Sequence, residues 1–359
     1  MPNIRMRTSR LQKGMIIKSD VYTRSGTLII PEDTVVTKEV FDILTRHFID
    51  DVIVDYTPET KTTPDPALLQ KNRGIHPQKL EEFTKTFHVA EETLSQNLKD
   101  IALQDKDVDI QTLIDMVDSV VKKADGDTNL CDMLFNMKHS SETLYSHSIN
   151  VSLYAQLLAR WIDLPPEEIE LVSLAGLLHD IGHLKYPAEE QKNFSLHNEL
   201  SKRCHEKHPA FGYKVIQQKT IDYRVKQAIL THHERIDESG FPMGVSFANI
   251  NNISRVLAIA DTYATLTTDE PDQPGMTPFE ALKYLEKQEF NKFDSRYLLV
   301  FIERIAQNFI QHEVLLNNGQ TGVIIMLNKI DLTRPLVQIG TQFVDLSLRK
   351  DLMIKKILN

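Results

Sequence analysis

The chain carries 13 histidines, and nine of them fall between His139 and His233. Five segments in and just beyond this stretch set a metal-binding side chain on the apolar stripe of a predicted helix. His147 precedes Val151, Tyr154 and Leu158, and His179 follows Leu171, Leu174, Ala175 and Leu178 with Asp180 beside it. His208 precedes Phe211 and Val215. His232 and His233 follow Val225, Ala228 and Ile229, and Asp261 follows Ile253, Val256, Leu257 and Ala260. Helical periodicity turns all these groups toward an interior. A buried polar group is costly without a partner, and a buried carboxylate more so. One such histidine is ordinarily a satisfied core residue. Seven groups converging from five segments are hard to satisfy among themselves, and a divalent cluster satisfies them together.

The spacing supports convergence. Along the order H, HD, H, HH, D the gaps are 32, 29, 24 and 28 residues, each long enough for a helix and a connection. Neighbours such as His179 and Asp180 lie about 100° apart on a helix, so one serves a single ion while the other bridges two. His232 and His233 can likewise serve two different ions. The donors are nitrogen and oxygen with no thiolate, which favours six-coordinate Fe or Mn over a tetrahedral structural zinc site. Two ions ~3.5–4 Å apart are a device for in-line attack on phosphorus, supplying hydroxide at neutral pH and neutralising attacking and leaving oxygens.

Composition narrows the field. The length of 359 residues suggests two or three domains at roughly 150 residues each. A net charge of −9 argues against a protein built to coat extended nucleic acid or an anionic membrane. Hydrophobic content of 41% and charged content of 25% are ordinary for a globular chain. No apolar run approaches the ~18 residues of a membrane helix. The opening MPNIRMRTSR has no apolar core, so no secretory signal is expected there. Cys131 and Cys204 form neither a CxxC nor a disulfide framework, and the expected compartment is a reducing cytoplasm. None of the glycines forms a dinucleotide turn, a Walker loop or a nucleophile elbow.

The elements that must hold the cluster follow from patterning. Residues 1–57 read as a small α+β domain, with strands at 13–18, 27–30 and 52–54, a turn at Arg24-Ser25-Gly26, and Thr37 as a helix N-cap before Val40, Ile43 and Leu44. Residues 58–77, with Pro58, Pro64, Pro66 and Pro77, read as a linker. Residues 78–127 read as a helical connector, helical over 78–124 and stopped at Gly126. Its stripe Ile110, Leu113, Val117 and Val120 suits packing on the next domain or a helical homodimer contact. Residues 128–312 are helix after helix, and 313–359 read as a β subdomain with strands at 323–327, 335–339 and 343–346.

With those motifs in place, the sequence resembles the HD-GYP family of bacterial metal-dependent phosphohydrolases, a branch of the HD superfamily. The resemblance rests on SHSINV (146–151), LLHDIGH (177–183), HPAFG (208–212), HHERIDESGFP (232–242) and ADTYATLTTD (260–269), within residues 128–312. It implies a mainly α fold, a helical HD-type core with a small N-terminal α+β unit and a small C-terminal β subdomain. It implies a pair of divalent metal ions, Fe or Mn, held by His147, His179, Asp180, His208, His232, His233 and Asp261. It implies hydrolysis of a cyclic dinucleotide, cyclic di-GMP first and cyclic GMP-AMP second, by in-line attack of a metal-bridging hydroxide. Some members add a glutamate four residues before the first histidine to recruit a third metal; here that position is Thr143, with Glu142 one step off, which favours two.

The substrate-facing positions depart from the family pattern. His183 replaces the lysine of HDIGK, where an imidazolium would restore positive charge when protonated. Lys185, two residues on, is a second candidate for reaching phosphate, and Arg235 matches a frequent family arginine. Glu234 and Asp237 are expected to orient the ligand histidines. With Asp180, His183 and Lys185 they complete the expected catalytic set. Glu238 replaces a glycine, Phe241 replaces the tyrosine of GYP, Ala264 replaces an Asp, and Glu270 and Asp272 stand where the family has Arg and Tyr. The expected function is therefore a cyclic dinucleotide phosphodiesterase. The alternative is a metal-holding nucleotide receptor or scaffold of weak activity that works with a partner signalling protein.

Overall fold

The computed structural model describes residues 77–137, 143–186, 199–269, 274–329 and 331–358. Of the first 55 residues it describes 3–8, 11, 15–22, 28–37, 40–41, 43–44, 49 and 51–55. The linker apart from Pro77, the Arg24-Ser25-Gly26 turn, Glu142, Glu270 and Asp272 lie outside the described residues, as does the side chain of Cys204. The chain divides into two compact units, Met1–Asn72 with Lys329–Asp331, and Arg73–Asn328 with Leu332–Asn359.

The first unit holds strands β1 (Asn3–Arg7), β2 (Ile16–Ile17), β3 (Val21–Tyr22), β4 (Leu28–Ile30) and β5 (Asp51–Asp55). β1 and β2 flank β5, both antiparallel to it, and β3 pairs with β4. The segments read at 13–18 and 27–30 therefore do not pair with each other. Alternation explains the choice: Val52 and Val54 of β5 point inward, where they meet Met6, Ile17, Val21 and Ile30 in one small core. Thr37 Oγ1 accepts the Val40 amide at 3.4 Å, as the N-cap reading requires.

The second unit is mainly α. In chain order it contains α1 (Pro77–Gln104), α2 (Ile110–Ala124), α3 (Asp127–Asn136), α4 (Leu144–Trp161), α5 (Pro166–Leu178), α6 (Glu199–Ile216), α7 (Tyr223–Thr231), α8 (Asn252–Thr267), α9 (Pro278–Gln288) and α10 (Ser295–Asn308). Pro77 opens α1 because its missing amide and fixed φ suit a first turn. The helix expected over 78–124 is interrupted at 105–109. Asp105 takes a left-handed φ of 58°, and Asp109 caps α2 by accepting the Thr112 amide. Three aspartates in five residues favour local caps over helix continuation. Asp105 pairs with Lys219 at 2.6 Å, and Asp107 accepts the Thr220 amide at 2.9 Å, which fastens the break to the end of α6. The stripe Leu113, Val117 and Val120 is buried in this unit's own core, as are Phe83, Phe87, Leu94 and Leu98 of α1; Ile110 is the exposed member.

The tail forms a five-stranded antiparallel sheet in the order β10-β6-β7-β8-β9. The strands are β6 (Glu313–Leu316), β7 (Thr321–Met326), β8 (Leu336–Ile339), β9 (Gln342–Asp345) and β10 (Ile354–Leu358). The sequence reading found the middle three. β10 was concealed by Lys355 and Lys356, adjacent exposed lysines beside a register shift that breaks apolar alternation. Val314, Leu316, Ile324, Val337 and Ile354 pack into the same core as the helices.

Two helices set the frame for the histidines. α4 and α5 approach closely at Gly176, where an added Cβ would meet the Ser152 Cα at 2.6 Å. Ser152 Oγ also donates to the Ser173 carbonyl at 2.9 Å. Gly176→Ala should therefore lower stability by about 1–3 kcal/mol through overpacking. Because the Gly176 carbonyl accepts from His179 Nδ1 at 2.7 Å, metal affinity should fall with it. Urea unfolding and metal titration of the variant check both; unchanged values in both would mean the helices separate freely.

Candidate metal centre

The backbone delivers each candidate ligand by a distinct local device. Thr143 and Ser146 form a capping box at the start of α4, which places His147 on its first turn. The sequence reading put His179 and Asp180 on a continuous helix; the structure puts them where α5 ends. His179 is the helical C-cap residue, and Asp180 (φ −97°, ψ 7°) turns the chain into a short 3₁₀ helix, Ile181–Lys185. His232 likewise caps α7 and His233 follows it. Asp261 stands within α8, which is capped by Asn251. Gly182 fixes the approach of the 3₁₀ turn to α6: a Cβ there would lie 2.0 Å from the His208 carbonyl oxygen. Only glycine permits that spacing.

All seven sequence-derived ligands come together. His147 Nε2 lies 3.1 Å from Asp261 Oδ1 and 3.9 Å from Asp180 Oδ2. His179 Nε2 lies 3.3 Å from Asp180 Oδ2 and 3.9 Å from Asp261 Oδ1. His208 Nε2 lies 3.1 Å from Asp180 Oδ1 and 3.0 Å from His232 Nε2. His233 Nδ1 is 3.7 Å from Asp261 Oδ2. Asp180 thus faces imidazoles with both carboxylate oxygens. His179 Nδ1 and His232 Nδ1 lie within hydrogen-bond distance of the Gly176 and Ile229 carbonyls, at 2.7 and 2.9 Å. Donation there sets the tautomer and aims the Nε2 lone pairs into the cluster.

Electrostatics reinforce this picture. Burial alone would raise the Asp180 and Asp261 carboxyls. Surrounding imidazoles outweigh it, led by His179 at Asp180 and by the His147 hydrogen bond at Asp261, and hold both well below the usual carboxylate range. Burial and neighbouring histidines push His232 and His233 well down, so both rings are neutral. His179 is the exception: burial opposes its protonation, but Asp180 and Asp261 raise its pKa.

The remaining sequence candidates land differently. His183 is buried and stacked on His208, with ring centroids 4.2 Å apart, and its Nε2 lies 3.6 Å from Asp180 Oδ1. Burial and then His208 push its pKa to about 3, so it supplies neutral imidazole rather than the positive charge expected of a lysine replacement. The Lys185 ammonium donates to the Ala102 carbonyl at the end of α1. Glu234 does not orient a ligand ring; its buried carboxylate accepts the Met243 and Val245 amides at 2.8 and 3.1 Å and shapes the following loop. Asp237 is exposed and caps Ser239. The reason is position: both follow the turn after α7, where unsatisfied loop amides compete for carboxylates. Glu238 takes a left-handed φ of 65°, a glycine conformation imposed on a side-chain-bearing residue. Thr143 contacts Glu91 of α1 through its hydroxyl.

An open pocket of about 320 Å³ adjoins the cluster, lined by His205, His233, Arg235, Phe241, Tyr284 and Lys292 among others. Of the three sequence-derived substrate contacts Arg235 lines it, and His183 and Lys185 are not among its lining residues. Arg235 donates to the His232 and Glu234 carbonyls and lies 4.8 Å from the Phe293 ring centroid. His205 escaped the sequence reading. The available signal was its spacing: three residues before His208, it shares that ligand's helical face.

A family model described as HD domain matches residues 114–297. The chain belongs to the HD domain family. A cyclic di-GMP phosphodiesterase of Pseudomonas aeruginosa is 28% identical over 234 residues, covering 65% of this chain and 56% of that protein. A 3'3'-cGAMP-specific phosphodiesterase of Vibrio cholerae is 30% identical over 170 residues, covering 47% and 39%. The chain spans about half the length of the curated relatives it matches most extensively. An HDG"Y"P protein from Bdellovibrio bacteriovorus has the same fold at a TM-score of 0.50 and 17% identity, covering 84% of this chain and 98% of that one. The resemblance to the HD-GYP branch is met by these relatives.

The HD domain's donors fit a divalent metal. Four groups of three His or Asp residues each present ligand atoms within 4.8 Å of one another. His179 Nε2 and His208 Nδ1 are buried without a hydrogen-bond partner among the described residues, the state expected of atoms reserved for an ion. Chelation should therefore lower the melting temperature, since free metal at a hundred times Kd stabilises by about 2.7 kcal/mol. In the metal-free HD domain, His183, His205, His232 and His233 all have folded pKa values below that of an unfolded histidine, ~6.5. Their contribution is complete above that pH and is lost as the pH falls below it; His179, shifted upward, offsets part of the loss. Melting curves of chelated protein should hold from pH 7.5 to about 6.5 and then move downward to pH 4.5. A flat profile would show that the rings are hydrated and not buried.

Proposed function

We propose that this chain is a metal-dependent phosphodiesterase that opens a cyclic dinucleotide, with cyclic di-GMP the first candidate and cyclic GMP-AMP the second. The observation that supports it most is the convergence of Asp180 and Asp261 with five candidate ligand histidines beside an open pocket. The named activities of the relatives point the same way. In this reading His147, His179, Asp180, His208, His232, His233 and Asp261 would hold two divalent ions. Such a pair, when bound, supplies the charge that activates water and neutralises phosphoryl oxygens.

The chain's own residues do the rest. His179 and His232 are held in one tautomer by backbone carbonyls, so their lone pairs stay presented without reorganisation. Arg235 and Lys292 bring cationic groups to the pocket beside the Asp261 and Glu289 carboxylates, and Phe241 and Tyr284 give it aromatic faces. That combination suits a phosphate-bearing aromatic ligand. Arg235 keeps its guanidinium near the His232 carbonyl, and Lys292 pairs with Glu289 at 3.1 Å. Glu234 holds the loop that carries Met243 and Val245 beside the pocket. A receptor of weak activity is the second reading, and the neutral, buried His183 favours it, because the phosphate-binding charge of the HDIGK pattern is not restored there.

Protein purified anaerobically with manganese should hydrolyse a cyclic dinucleotide, and Asp180→Ala should lose bound metal and at least about 10³-fold of the rate, on the scale of a bridging charge lost from a dry site. Activity should fall on acidification, because ligand imidazoles must stay neutral, and His183 should add no rise at low pH. Wild-type protein that binds two metals and a cyclic dinucleotide yet turns none over would decide for the receptor.

A further inference from the structure

We infer that His205 is an additional metal ligand on the pocket side of the centre, sharing an ion with His208 and His233; this rests on the metal-dependent reading above. Ligand nitrogens of His205, His208 and His233 lie within 4.8 Å of one another. Neighbouring donors on an ion with ~2.1 Å bonds sit roughly 3–3.5 Å apart, so small side-chain rotations close the triad. The ring centroids agree: 4.6 Å from His205 to His233, 5.4 Å from His205 to His208, and 5.0 Å from His208 to His233.

A second observation points to the ligand. His208 turns Nε2 toward Asp180 and His232. Its other ring nitrogen, Nδ1, is buried and has no hydrogen-bond partner among the described residues. A neutral imidazole has one lone pair, so each ring gives the shared ion a single nitrogen: His208 gives Nδ1 while its Nε2, 3.1 Å from Asp180 Oδ1, carries the proton, and His233 gives one of its two. His205 sits three residues before His208 on α6, on the same face, and lines the pocket with His233. Its ring also packs against Phe241, with centroids 5.2 Å apart, which limits its rotation. A third imidazole on this side occupies a coordination position that water or a substrate phosphate would otherwise take. It tightens the ion and narrows the access of substrate to it.

The test uses the metal-free chain of 359 residues titrated anaerobically with cobalt(II). Readouts are ions bound per chain, their affinities and the visible absorption of the bound cobalt. His205→Ala removes the ligand and the ring; His205→Phe keeps a ring against Phe241 and His233 but cannot coordinate. Both should weaken one cobalt ion by at least about tenfold, since even the outer partners of a ligand cost that much, and both should change the cobalt spectrum. Wild-type affinity and spectrum in either folded variant overturn the assignment. So does rescue of affinity by His205→Phe over His205→Ala, which would mean ring packing alone. A wild-type measurement does not depend on variants folding: cobalt should suppress carbethoxylation of His205 by diethylpyrocarbonate, read by peptide mass spectrometry, and undiminished modification with cobalt bound overturns the inference. Asp180→Ala separates the two levels. If it loses cobalt while the His205 variants keep it, only the His205 assignment falls; if wild-type protein binds none, the metal-dependent reading falls too.

Discussion

The structure depends on one imbalance. Two carboxylates and several imidazoles are packed where there is little water and too few protons to pair them all. Asp180 alone faces His147, His179, His183 and His208 within 4 Å. Histidines at that distance compete for the same negative charge, and burial forbids most of them from becoming cations. Within such a set the uncompensated atoms are nitrogen lone pairs, and divalent cations are what nitrogen lone pairs and carboxylates satisfy jointly. The surrounding elements serve to maintain that imbalance: the α4–α5 approach at Gly176, the 3₁₀ turn against α6 at Gly182, and the two helix ends that receive His179 and His232.

Where each ligand sits on its helix matters as much as its identity. Four of the seven lie at or beyond a helix C-terminus, where carbonyls lose their intrahelical partners. Those carbonyls are occupied by imidazole N–H groups at Gly176 and Ile229. One arrangement therefore satisfies a backbone acceptor and fixes a ligand tautomer. A ligand placed mid-helix, such as Asp261, has no such device and is oriented instead by the rings around it.

Much of this was legible in the residues. Apolar stripes located the helices, and the H, HD, H, HH, D spacing located every group that meets at Asp180 and Asp261 apart from His183. What was not legible depends on contacts that spacing does not encode. The carboxylate of Glu234 serves two loop amides nine and eleven residues on, a partnership only the folded loop creates. Lys185 was read as free to reach phosphate, yet a helix end 83 residues earlier takes its ammonium. His183 sits where a lysine is expected, and only its burial against His208 shows that it is uncharged. His205 differed: its i, i+3 relation to His208 was visible, but one more histidine in a histidine-rich stretch carries no weight until its face is known. The helical break at 105–109 depended on Asp105, whose left-handed turn is held by Lys219.

The shared core of the second unit separates ancestry from autonomy. The matched family span ends at residue 297 and begins at 114, but Phe83, Phe87, Leu94 and Leu98 on one side and Phe309, Leu316 and Ile354 on the other belong to the same apolar interior. Cutting at the homology boundaries would strip the interior of its first helix and its closing sheet and leave large side chains facing water. The smallest piece that keeps the histidines in place is thus set by packing and not by descent. Transplanting this module into another protein means carrying α1 and the terminal sheet along as part of its foundation.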